Sequence, residues 1–205
     1  KEGLETSFST NILGHYHLTR ELLARKMLSE NAAVIEVSSG GMYNHALAVK
    51  DLNITGSGYL GVRAYGLAKR AQVVLTGYWR QKYAATGKSF YAMHPGWVDT
   101  ASVGRSMPRF RAMLKSVLRD HSQGADTIVW LAAKRPKQAG GESIWFDRKE
   151  RSVHIFPHTP KTSDTAADLI ATLDSFLQPG LGRAMSAERD ADSRQGDAKL
   201  RAATA

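Results

Sequence analysis

The sequence predicts an α/β fold, a parallel sheet with helical crossovers, and two observations carry that expectation. Short apolar runs rich in β-branched or aromatic residues alternate with longer segments in which apolar side chains recur at helical spacing. The first two short runs also close on Ser-Ser-Gly-Gly and Pro-Gly turns. Each is then followed by a stretch long enough to carry the chain back for a parallel pairing.

Over 5–27, Phe8, Ile12, Tyr16, Leu22, Leu23 and Met27 recur near helical spacing with no proline among them, which predicts a long amphipathic helix. Residues 32–37 predict a buried strand ended by Ser38-Ser39-Gly40-Gly41. A polar, glycine-containing loop runs to about Gly61, and 63–83, dense in Ala, Leu and Val, predicts a second helix stopped by Thr86-Gly87. Residues 89–93 form the next strand; Pro95, which lacks an N–H, and Gly96, which permits a sharp turn, end it. Helical patches at 109–118 and 124–133 lead through Gly140-Gly141 to a third strand at 143–146, and 164–177 supplies a last helix. Beyond Pro179-Gly180 the chain turns to Ala, Arg, Asp and Ser. The expected division is one domain over 1–178 and a disordered tail over 179–205. No internal repeat is present.

At 205 residues with 42% hydrophobic content, the chain is long enough for one domain with a real core. No run of about eighteen apolar residues appears, so no membrane span is expected. The absence of cysteine removes disulfides, thiolate metal sites and thiol nucleophiles. The net charge of +9 is spread along the chain rather than gathered in a basic run, which predicts a solvated surface and no nucleic-acid partner. The same field favours an anionic cofactor or substrate. His15 and His17 stand two apart on the first helix and point in different directions, so a structural role is expected and no metal. The chain opens on Lys1 at the entry to a helix, which predicts an incomplete or processed sequence and leaves cytoplasm and organelle matrix both open.

Tyr65-Gly66-Leu67-Ala68-Lys69 sets a phenol and an ammonium one helical turn apart on one face. A free tyrosine ionises near ~10, and a neighbouring cation brings that value toward the neutral range. The competing structural reading packs the ring in the core and lets the lysine reach solvent. Two further turns weigh against it. Ser38-Ser39 ends the strand before this helix and His94-Pro95-Gly96 ends the strand after it. Both open at the carboxyl edge of the sheet, where parallel α/β folds bind ligands.

In order and context, Asn11 within Thr10-Asn11-Ile12-Leu13-Gly14-His15, then Ser39, Tyr65, Lys69 and His94-Pro95-Gly96-Trp97-Val98-Asp99-Thr100, the chain resembles the short-chain dehydrogenase/reductases over about 5–148. The stretches Met107-Pro108, Gln123-Gly124-Ala125-Asp126-Thr127 and Phe146-Asp147-Arg148-Lys149 narrow the resemblance to one subgroup. The resemblance implies a Rossmann-type doubly wound parallel sheet, of which this sequence holds the carboxyl-terminal half, three strands with crossover helices. It implies a catalytic tetrad of Asn11, Ser39, Tyr65 and Lys69. Contacts to the nicotinamide and phosphate end of NAD or NADP would come from Tyr65, Lys69, Pro95, Gly96, Val98 and Thr100. The implied reaction interconverts a carbonyl and an alcohol on a lipophilic small molecule. In it Tyr65 exchanges the proton, Ser39 orients the oxygen, Lys69 holds ribose hydroxyls and Asn11 joins a water-linked proton path. Ser39 is preferred to Ser38 because the second serine matches the motif.

No glycine-rich turn of the kind that binds pyrophosphate precedes Asn11. The expectation is therefore a chain that leaves NAD and NADP undistinguished, binds either poorly, and exposes the edge of its first strand. The alternative is a truncated, catalytically incompetent fragment. Such a fragment would associate with full-length subunits through the helices at 5–27 and 63–83, which commonly form the dimer interface in the family.

Overall fold

A computed structural model describes residues 3–101, 104, 112–113, 117–138 and 141–178. The first helix is interrupted rather than uniform: α1 (Thr6–Phe8), a π-helical turn (Ser9–Leu13) and α2 (Gly14–Ala24) follow one another without a break. The Glu5 carboxylate starts it by accepting from the Phe8 amide at 2.6 Å. The wide turn closes where the Gly14 amide donates to the Ser9 carbonyl, and such turns recur at functional sites. Lys26, with φ of 55°, ends the helix before the expected Met27.

Next come β1 (Ala33–Val37), 3₁₀ turns at Gly40–Asn44 and Val49–Asp51, and α3 (Gly61–Lys82). They are followed by β2 (Ser89–Met93), α4 (His121–Lys134), β3 (Ile144–Phe146), β4 (Lys149–Arg151) and α5 (Ala166–Leu177). The sheet runs β1-β2-β3-β4. Its first three strands are parallel, with Val37 beside Met93 and Met93 beside Trp145. The carboxyl ends of β1 and β2 therefore lie level, and the Ser38 amide donates to the Met93 carbonyl at 2.7 Å.

Alternation along β1 divides the core between the two faces of the sheet. Ala33 and Ile35 pack with Leu131 of α4, whereas Val34 joins the cluster of α2, α3 and α5 on the other face. Helices on both faces are the doubly wound arrangement expected. The capping box of Asp120 and Gln123 starts α4 earlier than the apolar pattern indicated. Strand β4 was not anticipated. It pairs antiparallel to β3 through Asp147-Arg148, both at positive φ (52° and 56°), a turn made without the usual Asn-Gly signature. Most of the helical patch expected over 109–118, the Met107-Pro108 stretch and the tail over 179–205 lie outside the described residues.

Helix α3 is buried on all sides, with every residue over 66–76 inside. The sheet and the α1–α2 rod enclose it together with α5, whose Leu169 and Leu173 are fully buried and whose Phe176 meets Phe8 edge-on at 5.0 Å. Within the helix expected at 63–83, residues 66–76 are covered by the chain itself, while Arg63, Tyr65, Gln81 and Lys82 stay exposed. None of the described helices is long and apolar enough to cross a membrane.

Candidate active site

Lys69 is the hub of the carboxyl edge. It is 7% exposed, and its ammonium donates to the Val37 carbonyl at 2.9 Å and to Asn11 Oδ1 at 3.3 Å. The π-helical turn presents Asn11, and the end of β1 presents the carbonyl. The same ammonium sits 5.4 Å from the centre of the Tyr65 ring, which is 40% exposed at the mouth of the site. Two of its three N–H donors are taken by protein, which leaves one for a ligand hydroxyl. Burial lowers its pKa from the usual lysine range to about 8, against the field of the Glu36 carboxylate, which raises it.

The two serines divide their work. Ser38 is 3% exposed and its hydroxyl donates to the Lys69 carbonyl at 2.8 Å, which ties the end of β1 to α3. Ser39 Oγ accepts from the Gly41 amide at 3.3 Å, capping the following turn and keeping its own proton for another acceptor. That turn lies directly on Gly66. A Cβ there would stand 2.3 Å from the His45 ring and 3.3 Å from the Gly41 carbonyl. Gly66 is a site residue the sequence reading passed over. Its signal was a glycine inside a helix, which costs about 1 kcal/mol relative to alanine and so needs a packing reason.

The His94-Pro95-Gly96 turn at the end of β2 is braced by packing. His94 stacks on Phe146 with centroids 4.3 Å apart and meets Tyr43 edge-on at 5.8 Å. Burial, with the Arg119 charge adding to it and Asp147 opposing, pushes its pKa down to about 4, so the ring is neutral. Arg119 forks onto Asp147 at 2.5 and 2.8 Å and lies over the Phe146 ring. Gly96, at φ of 78°, has no room for a Cβ, which would stand 2.8 Å from Arg119 Nε. The side chain of Val98 packs on Gly124 of α4, and the main chain at Thr100 accepts from the Gly104 amide at 3.0 Å. Val98 therefore has only its backbone to offer a ligand.

Beneath Lys69 lies a buried polar group that the sequence reading also missed. Glu36 of β1 is 6% exposed, and its carboxylate accepts from His15 Nδ1 and from Gln72 Nε2, both at 2.9 Å. His15, read from the sequence as structural and without a carboxylate beside it, has one. The available signal was a charged residue in an otherwise apolar strand.

No family model matches the chain. It is 39% identical over 180 residues to dehydrogenase/reductase SDR family member 12 of Homo sapiens, covering 87% of this chain and 56% of that protein. The Bos taurus protein of the same name is 42% identical over 156 residues, 76% of this chain and 49% of that protein. WW domain-containing oxidoreductase of Pongo abelii is 29% identical over 192 residues, 89% of this chain and 46% of that protein. The chain spans about half the length of these curated relatives. A solved structure of an uncharacterised protein from Mycobacterium paratuberculosis shares the fold at a TM-score of 0.53 and 21% identity, covering 89% of this chain and 60% of that one.

Proposed function

The chain belongs to the short-chain dehydrogenase/reductase family, and from that premise we propose that it carries the acid–base half of an NAD(P)-dependent oxidoreductase that interconverts a carbonyl and an alcohol. The observation that carries this reading is Lys69, buried, hydrogen-bonded to Asn11 and the Val37 carbonyl, with its ammonium beside the Tyr65 ring. A lysine that only covered apolar surface would send its charge to solvent.

In the reducing direction Tyr65 donates its phenolic proton to the carbonyl oxygen. Ser39, with its own proton free, donates a hydrogen bond to the same oxygen and fixes its direction. Lys69 stabilises the negative charge left on the phenol oxygen and offers its remaining N–H to a ribose hydroxyl. Asn11, on the far side of the ammonium, links it to a proton path. In the oxidising direction the proton moves the other way. The chemistry supplied by a bound nicotinamide is hydride transfer. The residues present fit its nicotinamide and ribose end through the spare donor on Lys69 and the backbone of the Pro95-Gly96 turn beside it in the sheet edge. Tyr59, Leu60, Val62 and Trp97 are exposed apolar side chains close in sequence to these groups, which suits a lipophilic substrate.

Turnover of a lipophilic aldehyde panel with NADPH tests the reading. Tyr65→Phe is expected to lose at least ~100-fold in kcat/KM with its melting temperature unchanged; wild-type turnover by that variant would end the proposal. A second reading, association with a longer copy of the same protein, is favoured by one feature. The outer edge of β1 carries no strand among the described residues. Co-purification with a longer copy, lost on substitution of Val34 by proline, is its test.

A further inference from the structure

A buried carboxylate costs several kcal/mol unless its hydrogen bonds and a countercharge are supplied. Glu36 is such a group, placed one residue before the carbonyl that holds Lys69 and on the face of β1 turned toward α2 and α3. The neutral amide of Gln72 and the half-exposed ring of His15 hold it, the latter's side chain being 44% exposed. Gln72 Nε2 and His15 Nδ1 lie 3.0 Å apart, and both donate to the same carboxylate oxygen, so the three form one fixed cluster. Its remaining neighbour is the Lys69 ammonium, which the carbonyl of the next residue, Val37, holds at 2.9 Å and whose charge the Glu36 field favours.

We propose that Glu36 is a positioning residue of the site, whose buried carboxylate, fixed by His15 and Gln72, favours the charged form of Lys69 against the burial that disfavours it. This inference rests on the reading of Tyr65 and Lys69 as the acid–base pair. The groups facing Lys69 are Asn11 from the π-helical turn, His15 from α2, Glu36 and the Val37 carbonyl from β1, and Tyr65 on its own helix. Those facing Glu36 are His15, Gln72 and Lys69. One carboxylate thus serves two cations. Its hydrogen bond raises the pKa of His15, and the Lys69 charge lowers it. When His15 is neutral the whole field of Glu36 falls on Lys69; when His15 is protonated the two compete for it.

The coupling can be read without turnover, on the full chain labelled at lysine Cε and histidine Cε1, by following each midpoint in NMR titrations and assigning the signals with Lys69→Met and His15→Gln. Lys69 is expected to titrate near pH 8, and Glu36→Gln to lower that midpoint by at least half a pH unit, about a threefold fall in the ammonium-to-amine ratio. An unchanged midpoint in a folded Glu36→Gln variant overturns the proposal. If that variant does not fold, Lys69→Met supplies the test from the other side: the His15 midpoint must rise once the competing cation is gone, and no rise overturns the proposal equally. Asp126→Asn, which removes an exposed carboxylate paired with Arg148, is expected to leave both midpoints in place. The two readings fail separately. Absent coupling with an inactive Tyr65→Phe sinks only the role of Glu36, whereas intact coupling with a fully active Tyr65→Phe sinks the acid–base pair.

Discussion

Ser38 and Ser39 are neighbours with opposite allegiances, and mutation separates them. Ser38→Ala removes a buried hydrogen bond that ties β1 to the Lys69 carbonyl of α3, so about 0.5–1.5 kcal/mol of stability should be lost in urea titration. Ser39→Ala should cost less stability and instead lower turnover more than tenfold. His94 ties the same edge to pH. Its folded pKa lies near 4, below the unfolded value of about 6.5. Between the two, the unfolded state binds more protons, so stability falls as pH drops from 6.5 toward 4 and then levels off. The loss amounts to about 3 kcal/mol, and denaturant melts of His94→Phe should lack that acid limb. Asn11, Ser39, Tyr65 and Lys69 could be picked out as candidates because they follow one another in a known order, and the structure brings Lys69 to Asn11 and to the Tyr65 ring. Glu36 and Gly66 were not, because their reasons lie in residues distant along the chain. His15 is 21 residues before Glu36, and His45 is the side chain that Gly66 must clear.

Among the elements, strands β1 to β3 and the main helices were legible from periodicity and from the Ser-Ser-Gly-Gly and Pro-Gly turns. Three features were not. The π-helical turn keeps ordinary helical residues and reveals itself only in its hydrogen bonds. The β3–β4 turn places Asp147 and Arg148 at positive φ without glycine, and it is braced by Arg119 on Asp147 and Arg148 on Asp126. The capping box moved the start of α4. Close contact between elements also sets a prediction. Gly66→Ala must drive the Gly40–Asn44 turn away from α3, with an expected loss of about 1–3 kcal/mol and a fall in kcat that exceeds any rise in KM. Steady-state kinetics beside thermal melts would separate that displacement from simple destabilisation.

For the molecule as a whole, the amphipathic pattern of 63–83 gave the helix but not its surroundings. One apolar stripe was enough to predict burial on one side, whereas enclosure on all sides depends on α5, about a hundred residues later. Leu173→Ala in α5 should cost 2–5 kcal/mol, roughly what a fully buried leucine contributes. On the proposed reading, the described residues would offer a cofactor groups for its nicotinamide and ribose end. Fluorescence titration of this chain with NADPH is expected to give a Kd well above micromolar, and tight binding would contradict that assignment.

The cover over α3 also fixes an order of events in synthesis. A chain leaving the ribosome presents Tyr65 and Lys69 long before Leu169 and Leu173 have been made. Until those residues emerge, the helix that bears Tyr65 and Lys69 has an open apolar flank, a surface that chaperones bind and that aggregates form on. Translation pauses before residue 164 should therefore be the interval in which this protein is most exposed to misassembly.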